Sequence, residues 1–255
     1  MSNKCNKMDK EILIVPDVHG RNFWLPALDF KGDVIFLGDY LDPYPHEGIE
    51  DKDAYEVFLK IVEFKQKNPD RVTLLIGNHE LHYYNDNFSA GRFSNRYFEK
   101  FKEILMGEKT KGLFQLCKQV DKYLFIHAGV TKNWYERHLS KFENLGSTLE
   151  ERLNNVFFEK MYIFHEASTK YRGGLDDTGS PLWADIREFK DEFEAKAHFD
   201  PELYQIMGHS QRLEEDPIIQ ETYCMLDNRQ LYILRNGVIE KYTTGKTSKA
   251  GKKGK

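Results

Sequence analysis

Five times along the 255-residue chain an apolar run gives way at once to Asp, His or Asn beside glycine. Ile12–Val15 leads into Pro16-Asp17-Val18-His19-Gly20, and Val34–Leu37 into Gly38-Asp39-Tyr40-Leu41-Asp42. Val72–Ile76 leads into Gly77-Asn78-His79-Glu80, Tyr123–Ile126 into His127-Ala128-Gly129, and Leu203–Met207 into Gly208-His209-Ser210. Carboxylate, amide and imidazole groups are hard oxygen and borderline nitrogen donors, a mix that suits Mn, Fe or Zn ions better than a thiolate site would. Two such ions about 3.5–4 Å apart, bridged by one carboxylate, clamp the attacking and leaving oxygens of a phosphoryl displacement. The clusters hold enough donors for two ions, and Asp39 is the natural bridge. Alone, a Gly-Asp after a strand is turn chemistry. Turns do not require histidine at the same place in four of five clusters, and that ordered recurrence points to metal.

The elements that must position these groups are legible in outline. Runs of four or five residues rich in Val, Ile and Leu suit strands buried on both faces. Asp53–Lys67 puts Tyr55, Phe58, Leu59 and Val62 on one stripe with Pro69 just beyond, which predicts a helix. Asn95–Met106 puts Tyr97, Phe101, Ile104 and Leu105 together before Gly107, and Thr148–Ala167 reads as a further helix. Alternating strands and helices predict a layered α/β sheet, with ligands gathered at the carboxyl ends of its strands and glycines there to turn the backbone. The last third changes character. Leu203–Met207, Ile218–Leu226, Gln230–Leu234 and Val238–Tyr242 read as strands, the last two joined through Asn236-Gly237 as a hairpin. A strand-rich second half packed against the first is expected.

Composition sets the bounds. Forty per cent hydrophobic, 31 % charged and a net charge of −4 are ordinary for a soluble globular chain. They give no pull toward nucleic acid or a membrane surface, and no apolar run is long enough to span a bilayer. The start, MSNKCNKMDKE, shows no secretory h-region, so the reading is cytoplasmic. Cys5, Cys117 and Cys224 make no metal-type pair, and the last two lie in apolar segments as buried small residues. Residues 1–242 read as a single domain, and the tail 243–255, TTGKTSKAGKKGK, as a disordered, solvated segment.

The motif order DVHG, GDYLD, GNHE, HAG and GH, from Asp17 to His209, resembles that of the calcineurin-like metallophosphoesterases. The resemblance implies an α/β fold, a layered metallophosphoesterase β-sandwich flanked by helices. By the same resemblance Asp17 and His19 ligate a first metal, Asp39 bridges, and Asn78, His127 and His209 ligate a second. His79 matches the histidine that donates a proton to the leaving alkoxide, and Asp42 the carboxylate that orients it. The implied cofactors are two divalent ions, Mn or Fe/Zn, and the implied chemistry is phosphoester hydrolysis by metal-activated hydroxide.

The ending Gly208-His209-Ser210-Gln211 lacks the second histidine of G-H-x-H. It is more similar to the branch holding the serine/threonine phosphoprotein phosphatases and the diadenosine tetraphosphatases, which Ser180–Asp185 (SPLWAD) also resembles. One departure bears on substrate. The phosphoprotein phosphatases follow G-D-Y-V-D with Arg-Gly, and that arginine grips phosphate; here Pro43-Tyr44 follow. Arg21, Arg92, Arg96, Arg172 and Arg212 are candidate replacements, with Arg92 and Arg172 favoured because both adjoin glycines in loops. The aromatic and polar segment LHYYNDNFSAGRFSN after GNHE is a candidate cleft wall; His82 is read as structural. The expected activity is a phosphatase on phosphomonoesters, phosphoproteins included. The alternatives are a dinucleoside polyphosphate hydrolase and a non-catalytic protein-binding scaffold. The expected partner is a phosphorylated protein, nucleotide or small molecule.

Overall fold

The computed structural model describes residues 11–84, 91–194, 199–212 and 215–243. Cys5, His198 and, apart from Thr243, the predicted tail lie outside these residues.

Each of the first three apolar runs forms a strand. β1 (Ile12–Val15) and β2 (Asp33–Phe36) are followed by α1 (Asp51–Lys67), β3 (Val72–Leu75), α2 (Asn78–Tyr84) and α3 (Phe98–Met106). Then come β4 (Phe114–Gln115), β5 (Cys117–Val120), β6 (Tyr123–Ile126), α4 (Lys132–Arg137), α5 (Leu149–Glu159), α6 (Thr169–Arg172) and α7 (Ile186–Glu194). The chain closes with β7 (Tyr204–Met207), β8 (Ile218–Ile219), β9 (Tyr223–Met225), β10 (Tyr232–Arg235) and β11 (Val238–Lys241). Two sheets result, in the orders β11-β10-β1-β2-β3-β4 and β5-β6-β7-β9-β8.

β1, β2, β3, β6 and β7 are buried along most of their length, as their apolar runs require. Along β1 and β2 the side chains alternate. Ile12, Ile14, Ile35 and Leu37 pack against Phe125, Ile206 and Cys224 of the other sheet. Leu13, Val15, Val34 and Phe36 face outward to the helices, where Phe58, Ile61 and Phe101 cover them. Inside the first sheet β1, β2, β3 and β4 run parallel. In the second, β6, β7 and β9 run parallel. The carboxyl ends of β1, β2 and β3 therefore open on the side where β6 and β7 also end.

Three expectations are corrected. The C-terminal strands do not all pack as a separate half: β10 pairs antiparallel with β1 and extends the first sheet. The predicted hairpin is present, with Asn236 and Gly237 at φ of 51° and 80°, the left-handed region an Asn-Gly turn supplies. The helix predicted over Thr148–Ala167 starts as expected, with a Thr148–Glu151 capping box, but stops at Glu159 and resumes as a 3-10 turn over Met161–His165. The break brings Phe164 onto both Phe157 and Trp134. Ile218–Leu226 is two short antiparallel strands, because Gln220 N–H turns back to the Tyr223 carbonyl at 2.8 Å.

Candidate active site

The five clusters converge. Val18 and His19 N–H both donate to the Asp39 carbonyl, at 3.0 and 2.7 Å, so the turn after β1 is fastened to the turn after β2. Gly208 N–H donates to the His127 carbonyl at 2.8 Å and joins the turns after β6 and β7. His209 N–H reaches the Asp17 carboxylate at 3.0 Å, which ties the two sheets together at their carboxyl ends.

Two glycines are needed here for space. A Cβ on Gly77 would fall 2.2 Å from Asp39 Oδ1, and one on Gly208 2.2 Å from Asp17 Oδ1. Gly20, Gly38 and Gly129 turn the backbone at φ of 74°, 106° and 90°. The polar residues His19, Asp39, Asp42, Arg92 and His209 also have positive φ, from 45° to 73°. Such conformations cost roughly 1–2 kcal/mol each and gather where function over-determines the backbone.

The hydrogen bonds fix which atoms carry lone pairs. His19 Nδ1 lies 2.7 Å from the Leu41 carbonyl and His127 Nδ1 2.9 Å from the Leu37 carbonyl. A carbonyl only accepts, so each Nδ1 carries the proton and each Nε2 of the neutral ring is a lone pair. His19 Nε2 is 3.5 Å from Asp39 Oδ2, and His127 Nε2 is 3.6 Å from Asp39 Oδ1. The two oxygens of Asp39 thus face two different imidazoles. His127 Nε2 also lies 3.0 Å from Asn78 Oδ1 and 3.1 Å from His209 Nδ1, while His209 Nε2 is buried with no partner among the described residues.

Burial holds His19 and His209 well below the ordinary histidine pKa, so both stay neutral donors. It pushes Asp17 up to about 6, against the opposing pull of His127. For Asp39 the surrounding imidazoles, His127 first, outweigh burial and hold the carboxyl below its usual range. The lone pairs of His19 and His127 that face the Asp39 carboxylate fit cations, and the donor set fits divalent ions of the Mn, Fe or Zn kind. Two groups, His19-Asp39-His79 and Asp39-His127-His209, bring ligand-type atoms within 4.8 Å of one another and share Asp39.

His79 differs from the other imidazoles in that both its nitrogens are engaged by side chains. Nδ1 is 2.7 Å from Asp42 Oδ2, and Arg92 Nη2 is 2.8 Å from Nε2. Tyr83 donates its hydroxyl to Asp42 Oδ1 at 2.5 Å. Burial disfavours the charged ring, but Asp39 and Asp42 outweigh it and raise the His79 pKa.

A cavity of about 250 Å³ opens over this centre, lined by Asp17, His19, Asp39, Asn78, His79 and His209 and walled by Tyr44, Arg92, Arg172 and Trp183. Asp42 and His127 lie behind it, buried at 1 % and 0 % exposure. Both favoured arginines reach the cavity. The other three do not line it: Arg21 is spent on Glu47 at 2.8 and 3.0 Å, Arg212 pairs with Glu215, and Arg96 lies over the Tyr97 ring. Arg172 is aimed by Asp185 (Nε–Oδ2 2.9 Å) and Ser210 Oγ (2.8 Å), which gives the SPLWAD stretch a job. Of the predicted aromatic wall, residues 85–90 lie outside the described part, and Gly91 and Arg92 line the cavity. His82 is buried between His79 and Trp183, as a structural residue would be.

Two site residues carried no assigned role in the sequence. Tyr44 was visible only as the residue after Pro43, which stands in the arginine's place. Glu80 accepts the N–H groups of Gly77, Asp39 and Tyr40, each at 2.8 Å, and so pins the turn that carries Asp39. Its position two residues after Asn78 was the available signal.

The sequence model of the calcineurin-like phosphoesterases matches residues 11–212. The chain belongs to that family. The family is one of phosphoesterases that work with divalent metal ions. A curated relative, the catalytic subunit of serine/threonine-protein phosphatase 4 from Candida glabrata, is 25 % identical over 196 residues. The match covers 74 % of this phosphoesterase but 54 % of that subunit, so the chain spans about half the length of the curated relative it matches. Among solved structures, a cold-active protein-tyrosine phosphatase from a psychrophilic Shewanella shares the fold with a TM-score of 0.54 at 16 % identity, over 92 % of this chain and 80 % of that one. A protein serine/threonine phosphatase from Saccharomyces cerevisiae does so with a TM-score of 0.51 at 16 % identity, over 96 % and 82 %. No helix among the described residues is long and apolar enough to cross a membrane.

Proposed function

We propose that this phosphoesterase is a dinuclear metal-dependent phosphatase that hydrolyses phosphomonoesters, with residues 1–242 as its single domain. The observation that carries the reading is Asp39, whose two oxygens face His19 and His127 separately, an arrangement that lets one carboxylate be shared between two cations. Asp17, His19 and Asp39 would hold one ion; Asp39, Asn78, His127 and His209 would hold the other. Mn²⁺, Fe or Zn²⁺ bound there supplies Lewis acidity to a phosphoryl oxygen and lowers the pKa of an attacking water.

The chain's own groups do the rest. Arg92 and Arg172 grip the phosphoryl oxygens with planar donor forks. His79, its ring fixed through Nδ1 by Asp42, presents Nε2 to the leaving oxygen and protonates it. Arg92 rests on that same nitrogen, so an entering phosphate must draw the guanidinium aside before His79 can act. Truncating Arg92 or Arg172 to Ala should raise KM about 10- to 100-fold, the cost of losing a charge-assisted pair.

The curated relative is a serine/threonine-protein phosphatase subunit, which favours a phosphoprotein substrate. Pro43, in the place of that branch's arginine, favours the second reading, a dinucleoside polyphosphate hydrolase. Turnover of a phosphopeptide against diadenosine tetraphosphate, each with Mn²⁺, separates them by the larger kcat/KM. Hydrolysis of no phosphoester at all, in protein that has bound Mn²⁺, would favour the scaffold reading instead.

A further inference from the structure

We propose that Tyr44 is the positioning residue of the phosphate grip: its ring is the platform that holds Arg92 over the active centre, in place of an arginine carried by the GDYLD turn itself. The inference rests on the phosphoester reading above and adds to it the residue that makes the grip work.

The turn after β2 delivers Tyr44 to the cavity wall between two prolines. Pro45 disfavours the helical region for the residue before it, and Tyr44 is extended, at φ −76° and ψ 130°. Its ring meets the His19 ring edge-on, centroids 5.2 Å apart at 79°. That contact ties the platform to a ligand-type imidazole whose own position is set by the Leu41 carbonyl. On the ring lies Arg92, Cζ 3.6 Å from the centroid.

Among the described residues two guanidinium groups approach the ring, and one of them, Arg92, is placed to serve substrate. Arg21 stands 5.4 Å from the centroid with its fork closed on Glu47. Arg92 has Nη2 on His79, and Nη1 is buried with no hydrogen-bond partner among the described residues. A buried, always-charged donor facing a cavity of metal-ligand type is poised for an anion. Its backbone is held at φ 73° directly after Gly91, so the side chain leaves the loop at a set angle and needs a surface to rest on. Cation–π stacking supplies that surface through the ring's face and leaves Nη1 for phosphate. A carboxylate in the same place would orient Arg92 but occupy its donors.

The test is calorimetric titration of Mn²⁺-loaded protein with inorganic phosphate, alongside KM and kcat on para-nitrophenyl phosphate. Tyr44→Leu, which keeps bulk but removes the π face, should weaken phosphate binding and raise KM by about 5- to 30-fold, the equivalent of a desolvated cation–π contact. Because the grip acts on bound ground state and transition state alike, kcat should change much less than KM. Tyr44→Phe and Tyr44→Trp keep the face and should bind phosphate within about twofold of the wild type or tighter. Tyr44→Leu combined with Arg92→Ala should bind no more weakly than Arg92→Ala alone, since the ring acts only through that guanidinium. Equal losses in Tyr44→Leu and Tyr44→Phe, unchanged affinity in Tyr44→Leu, or additive losses in the double variant would each overturn the proposal. Those outcomes leave the phosphoester reading standing. A wild-type protein that binds Mn²⁺ but neither binds phosphate nor turns over a monoester would overturn both.

Discussion

Nδ1 of His79 lies 2.7 Å from Oδ2 of Asp42, thirty-seven residues earlier in the chain. The bond crosses from the turn after β2 to the first turn of α2 and leaves Nε2 to Arg92; in the proposed reaction Nε2 is the working atom. His79→Asn should lower kcat by about 10²- to 10⁴-fold, the usual worth of a general acid, with bound metal unchanged. Asp42 raises the His79 pKa, so Asp42→Asn lowers it, and the alkaline fall in kcat, where the acid loses its proton, should move to lower pH. An alkaline limb that stays in place in Asp42→Asn would remove Asp42 from that role.

Gly208 offers a test of the ligand geometry that leaves the ligands themselves intact. Its φ is not in the left-handed region, so alanine is conformationally acceptable, but the new methyl would stand 2.2 Å from Asp17 Oδ1. Gly208→Ala should therefore displace Asp17 and lower bound metal, measured by elemental analysis of the purified protein. Full metal content in the variant would place Asp17 outside the ligand set.

Glu80 is the staple under Asp39. Its two oxygens accept three backbone N–H groups, and a glutamine would turn its own N–H₂ toward at least one of them. Glu80→Gln should cost about 1–3 kcal/mol in urea unfolding, the scale of a buried backbone N–H left without its acceptor. A loss under about 0.5 kcal/mol, the range of ordinary surface changes, would contradict the role.

Two histidines outside the catalytic set make stability depend on pH. Burial lowers His82 to about 3 and His165 to about 4, from an ordinary 6.5. The unfolded chain takes up protons below pH 6.5 that the folded chain refuses until pH 3–4, so folding weakens as pH falls through that window. Each contributes a slope of about 1.4 kcal/mol per pH unit. His165→Gln should reduce the slope of unfolding free energy between pH 6 and 4.5 by about that amount; an unaltered slope would show that His165 titrates normally.

Much of this molecule is readable before folding because the chemistry sits where apolar runs stop. β1 and β6 coincide with their predicted runs, β2 and β3 differ at their ends, and Arg92 and Arg172, favoured for their glycine neighbours, both line the cavity. Local pattern fails where partners are distant. Nothing near Tyr232–Arg235 says that this strand will join β1 rather than the second sheet. Nothing near Phe157–Phe164 says that the helix must break so that both rings reach one aromatic core. Glu80 and Tyr44 were passed over for the same reason: what they hold, the Asp39 turn and Arg92, is defined only by the fold. Arg21 shows the converse, since its place beside DVHG suggested phosphate and Glu47, twenty-six residues away, takes it instead.

The central claim is a phosphoester centre built on two ions that share Asp39, and it is tested most directly by measuring phosphomonoester turnover against Mn²⁺ bound per chain. The account predicts activity that rises to a plateau at two equivalents, and an Asp39→Asn protein that binds fewer than one and turns over nothing. A plateau reached at one equivalent, or an Asp39→Asn protein that still binds two, would contradict it.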